Sequence, residues 1–181
     1  YYFEPTAAYF ASKKSCEPLH IQWNPLTDSI EVVNYAKADG SGLTASMEVI
    51  TMQGTVLFKN QSQLDCPEDS LVRLFPVMKP GGNDSIYFVR LELKKDNQII
   101  SQNFYLRGPS EETTGGLGNL RPVLNLPKVQ LFSTTYEGEK GGQGERATVI
   151  KNGTKIPALN IKLQVVGDKN RKRILPVIFN D

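Results

Sequence analysis

From about residue 19 to residue 106, apolar and polar residues alternate with a period of two, and that pattern leaves the chain few folds to choose from. Successive side chains of an extended strand leave the backbone in opposite directions, so period two marks strands with one face buried and one in water. Leu19-His20-Ile21-Gln22-Trp23 alternates, and Ile30-Glu31-Val32-Val33-Asn34 follows after the turn-forming stretch Asn24-Pro25-Leu26-Thr27-Asp28. Further runs span 43–50, where Ala45, Met47 and Val49 keep step with Leu43, then 55–59 after Gly54, 70–77 and 86–93. A last run, 99–106, lies beyond the turn Lys95-Asp96-Asn97-Gln98. Seven short strands in about 90 residues, separated by turn chemistry, predict an antiparallel sandwich of immunoglobulin type over 17–108. No stretch between them is long enough for a helical crossover, which excludes a parallel α/β sheet.

The flanks read differently. In residues 1–16, Thr6 is placed to cap a short helix whose Ala7, Phe10 and Ala11 share a face. Lys13 and Lys14 suit its last turn and Pro18 ends it. A helix of about three turns is not stable alone, so the aromatic residues Tyr1, Tyr2, Phe3, Tyr9 and Phe10 need a surface to dock on, one expected to lie outside this chain. Residues 109–127 hold Pro109, Glu111, Glu112, Thr113, Thr114 and three glycines up to Gly118, the composition of a flexible linker. Residues 128–181 start a second β-unit, with strands expected at 129–133, 146–150, 159–165 and 174–179 and a loop at 138–144. Four strands do not cover two sheets, so this unit is expected to be incomplete, truncated or completed by another chain. The architecture expected is therefore all-β: an immunoglobulin-like sandwich, then a second, incomplete immunoglobulin-like unit, with a short N-terminal helix.

Charge and composition narrow the function. The formal charge of +2 makes no electrostatic case for nucleic acid, although residues 109–181 carry the basic excess, partly in Lys169, Arg171, Lys172 and Arg173. No apolar run approaches the ~20 residues of a membrane helix, so neither nucleic acid nor membrane is an expected partner. Cys16, Cys66 and the single His20 form no spaced ligand set, so no metal or other cofactor is expected. The two cysteines remain open to pairing in an exported protein or to standing as free thiols.

Constellations for catalysis are weak. His20 lies four residues from Cys16, but Pro18 interrupts the strand register and no nucleophile elbow accompanies them. The carboxylates Glu48, Asp65, Glu68, Asp69, Asp84 and Glu92 sit on alternating strands or in turns, with no partnered acid pair of the glycosidase kind. The glycines of 138–144 lack a phosphate-binding pattern. Trp23 reads as a sandwich core residue, with a sugar-stacking platform the alternative for it and for Tyr35. On residues alone, a free-standing carbohydrate-binding or adhesion module therefore stays in play.

The stretch from Ala8-Tyr9-Phe10-Ala11-Ser12-Lys13-Lys14 through Ser15-Cys16-Glu17-Pro18-Leu19-His20-Ile21-Gln22-Trp23 resembles a known junction. It is similar to the segment that follows the catalytic barrel in family 2 glycoside hydrolases of the exo-β-D-glucosaminidase and β-mannosidase group. There a final helix leads directly into an immunoglobulin-like domain. Ile100-Ser101-Gln102-Asn103-Phe104-Tyr105 resembles that domain's last strand, and Leu126-Pro127-Lys128-Val129 with Ala158-Leu159-Asn160-Ile161-Lys162-Leu163 resembles the next domain. Ser12 and Ser15 stand where the group more often has small apolar residues. The resemblance implies a non-catalytic accessory region whose partner is the barrel of its own longer chain. The two catalytic glutamates of the group lie on that barrel, and no residue here matches their motifs. It further implies a parent that hydrolyses terminal β-linked glucosaminide or mannoside residues with retention, in the periplasm or secreted. Carbohydrate is a second candidate partner, and self-association through uncovered apolar surface is expected of the chain in isolation.

Overall fold

The structure is a computed structural model that describes residues 6–35, 37, 39–80, 86–108, 120–140, 143–159, 161–167, 172 and 173. One helix, α1 (Ala7–Ser15), precedes seven strands: β1 (Leu19–Asn24), β2 (Ser29–Asn34), β3 (Leu43–Thr51), β4 (Val56–Leu64), β5 (Ser70–Pro76), β6 (Tyr87–Lys95) and β7 (Gln98–Arg107). A 3-10 helix, Arg121–Asn125, leads to a hairpin of β8 (Leu131–Lys140) and β9 (Gln143–Asn152). The seven strands form two antiparallel sheets, ordered β1-β2-β5 and β4-β3-β6-β7. This is the sandwich that the alternation predicts.

The inward positions build one core. Ile21 and Trp23 of β1, Ile30 and Val32 of β2, Leu43, Ala45, Met47 and Val49 of β3, and Tyr87, Val89, Leu91 and Leu93 of β6 are all buried in it. Their spacing of two residues is the alternation read from the sequence, now seen as two facing layers. Strand β4 runs past 59, where the apolar signal ends, because Lys59 to Gln63 pair with β3 through the backbone while their side chains meet water. The turn at Asp96 and Asn97 has positive φ at both residues (49° and 64°), the geometry of a two-residue hairpin turn that matches strand twist.

One edge of the smaller sheet is closed by side chains. Strand β1 pairs with β2 on one side only. On its other side, the Ile21 N–H donates to Ser101 Oγ (3.3 Å) and the Trp23 N–H donates to Tyr105 Oη (3.0 Å). Asn103 Nδ2 donates to the Ile21 carbonyl at 3.4 Å. Ser101, Asn103 and Tyr105 alternate along β7, so one face of that strand caps the backbone groups an edge would otherwise expose. Burial pushes the Tyr105 hydroxyl pKa up, against the Trp23 N–H and the Arg107 charge, which pull it down.

Beyond the sandwich the sequence reading needs correction. The expected linker contains the 3-10 helix Arg121–Asn125, and its Val123 packs with Leu159 on a second apolar cluster of Ile50, Ile86 and Phe88. This cluster lies on the outer face of the four-stranded sheet. Gly54, at φ +82°, lets the backbone of Lys155 approach so closely that a Cβ at 54 would sit 1.9 Å from the Lys155 carbonyl oxygen. The loop expected at 138–144 is shorter, because β8 extends to Lys140 and β9 resumes at Gln143. Residues 159–165 form no strand among the described residues, despite their alternation. A single bridge, Val166 to Arg173, follows them, so the run finds no partner strand to pair with. The strand expected at 174–179 and the linker residues 109–119 lie outside the described residues.

Candidate functional site

The docking candidates come first along the chain. Tyr1, Tyr2 and Phe3 lie outside the described residues. Tyr9 and Phe10 project from α1, their rings 5.3 Å apart and edge to face. No residue of α1 is buried. Thr6 occupies the N-cap position, as expected, but its side chain makes no cap hydrogen bond, while Lys13 and Lys14 stand in the last turn.

Trp23 is 5% exposed. Its Nε1–H donates to Asp28 Oδ1 at 3.1 Å, the Tyr105 ring meets it edge-on at 5.6 Å, and the Arg107 guanidinium lies over it at 4.4 Å. Those contacts occupy the ring, so the sequence's alternative of a sugar platform at Trp23 gives way to a core position. Tyr35 lies 66% exposed just after β2, with its ring 5.7 Å from that of His20. His20 is buried; its Nδ1 donates to the Glu17 carbonyl oxygen at 3.0 Å. Cys16 is exposed and Cys66 buried, and both thiols are free. Cys66 Sγ donates to the Val32 carbonyl oxygen at 3.5 Å. Among the described residues no group of three His, Cys, Asp or Glu could hold a metal, and no helix is long and apolar enough to cross a membrane.

The carboxylates singled out in the sequence are engaged in pairs. Glu48 binds Arg90, and Lys59 at 3.2 Å; Glu92 binds Lys94 at 2.8 Å. Burial pushes the Glu48 carboxyl up, but the hydrogen bonds from Arg90 and Lys59 outweigh it and hold the group below its ordinary range. A carboxylate that sequence reasoning passed over is Glu31, which is wholly buried although it points away from the core. Asn24 Nδ2 donates to both of its oxygens (3.2 and 3.1 Å), Thr27 Oγ1 donates at 3.2 Å and Arg73 Nε at 3.3 Å. Burial raises its pKa, and the hydrogen bonds of Asn24, Arg73, Thr27 and Gln22 lower it further, leaving it below the ordinary value. Nothing in Ile30-Glu31-Val32 distinguishes such a residue from a solvated one.

Two clefts flank the middle of β7. One, of about 760 Å³, opens between the outer face of the four-stranded sheet and residues 152–159. The other, of about 730 Å³, opens between that face and α1. Arg90 and Phe104 line both, so the clefts join into one groove. The Phe104 ring stacks on buried Phe88 at 5.2 Å and is 44% exposed. Neither residue stands out in the sequence, where each is an ordinary outward position of a strand.

The fold and this site define a β-sandwich unit with an attached hairpin and an uncovered groove. The chain is 28% identical over 99% of its length to an exo-β-D-glucosaminidase of Streptomyces avermitilis, and spans 22% of that protein. It is 27% identical over 99% of its length to the exo-β-D-glucosaminidase of Amycolatopsis orientalis, and spans 19% of it. The solved structure of the Amycolatopsis orientalis exo-chitosanase CsxA superposes with a TM-score of 0.81 at 23% identity, over 97% of this chain and 23% of that one. At that identity the superposition shows the fold, an antiparallel all-β sandwich. No family model matches the chain. The chain thus matches exo-β-D-glucosaminidases over essentially its whole length, the group its junction resembles, and spans about a fifth of the curated relatives it matches.

Proposed function

We propose that this chain is a non-catalytic accessory region of a longer glycosidase that removes terminal β-linked glucosamine. The match that runs along essentially the whole chain to about a fifth of exo-β-D-glucosaminidases carries this reading. The site supports it: the carboxylates of the sandwich are held by cations on its surface or sealed in hydrogen bonds, and none faces a second acid across a cleft. The catalytic glutamates of the parent then belong to its barrel, and α1 with Tyr9 and Phe10 is the joint to that barrel. A parent acting on a polysaccharide works outside the cytoplasm.

The test begins with the size of the natural protein, blotted from source-cell extracts with an antibody to this chain. The expected band is several times larger than the 20.1 kDa of this chain. The purified parent should cleave an aryl β-glucosaminide faster than the matching β-mannoside, and the 181-residue chain alone should cleave neither. A natural protein no larger than the chain would overturn the reading. The free-standing carbohydrate-binding module would then take its place, resting on the exposed ring of Tyr35.

A further inference from the structure

The geometry points to the groove beside β7 as the seat of the parent's catalytic domain, taking a surface of that domain with an apolar centre and carboxylates around it. This rests on the accessory-region reading. The floor of the groove is apolar: Phe104 and Leu106 of β7, Val56 of β4 and Phe10 of α1 line it. Its rim is cationic. Lys13 and Lys155 stand at opposite ends, and among the described residues no carboxylate pairs with either. Glu17, the one acid lining either cleft, is already bound by Lys14 at 2.9 Å and by Ser101 Oγ at 2.6 Å. Arg90 in the middle is held by Glu48.

An apolar centre with a charged rim is the make-up of a protein–protein contact. Charge complementarity then selects a partner surface that brings carboxylates to the two free lysines. The same rim sets the groove apart from a substrate-binding surface, because protonated amino sugars are cations and are repelled by it. Helix α1 adds direction: it forms one wall of the groove and buries nothing within this chain. A domain joined to its N-terminal side would therefore meet the helix and the groove together.

The experiment uses the full-length natural protein, treated with a carbodiimide that couples lysines directly to carboxylates in contact with them. Mass spectrometry is expected to find Lys13 and Lys155 coupled to Asp or Glu residues of the catalytic domain. Coupling at Lys13 should fall severalfold in Lys155→Glu, a surface change that touches no core residue. Hydroxyl-radical footprinting of the same protein gives a second readout. Phe104 should be modified many times more slowly than Tyr35, after correction for ring reactivity. Coupling of these lysines only within residues 6–173, or between two copies, together with a reactive Phe104, overturns the proposal. A natural protein that lacks a catalytic domain sinks the accessory reading itself, whereas one that has the domain but leaves the groove bare sinks the groove alone.

Discussion

The two β-units of this chain are built from similar strands and solve different problems. In the sandwich, each inward position of β3 and β6 is fully or nearly fully buried, and the β1 edge is capped by Ser101, Asn103 and Tyr105. In the hairpin, Phe132, Tyr136 and Val149 share one face by register and all three are exposed. Its strands are longer than most in the sandwich, yet length adds only ladder hydrogen bonds. A two-stranded ribbon has no second layer to exclude water. Closure, and not strand propensity, separates the self-sufficient unit from the dependent one.

That contrast can be broken by paired substitutions. Leu91→Ala removes a fully buried side chain from the core and should cost about 2–5 kcal/mol, whereas Val149→Ala on the hairpin should cost no more than about 0.5 kcal/mol. Urea denaturation of the two variants measures both. Equal losses would mean that the hairpin face is packed in solution.

A smaller effect sharpens the role of edge capping. Tyr105→Phe keeps the ring against Trp23 but removes the acceptor of the Trp23 N–H, leaving a buried donor unpaired at a cost of about 1–3 kcal/mol. The same denaturation curve tests it, and unchanged stability would show that water replaces the hydroxyl.

The smallest effect is one of pH. Glu31 ionises more readily in the folded chain than at its ordinary value of 4.5, so its contribution is present above that value and is lost as pH falls through the lower folded value. Stability measured from pH 6 downward should therefore decline less steeply in Glu31→Gln than in the parent chain. Identical slopes would remove Glu31 from the acid response.

The sequence showed the sandwich clearly and the rest less so, for physical reasons. Alternation reports burial, so it located the strands whose one face meets the core, from Leu19 to Leu106. It stopped short on β4 because Lys59 to Gln63 are held by backbone pairing, which leaves no mark on side-chain polarity. It overreached at 159–165, where alternating residues have no neighbouring strand. The groove escaped it altogether. Arg90 and Phe104 fall sixteen pairs of hairpin register away from α1 in no linear pattern; only the folded sheet sets them beside Phe10 and Lys155. The N-terminal junction was legible for a different reason, since its residues form a contiguous motif.

Gly54 has a consequence for how this protein tolerates change. At the contact between 54 and 155, one partner supplies a missing side chain and the other only a main-chain carbonyl. Position 155 is therefore free to vary in charge and size, because every amino acid offers the same oxygen. Position 54 accepts only one residue. In a library of single substitutions the two touching positions would look unrelated, one silent throughout and the other intolerant, although they are halves of a single joint.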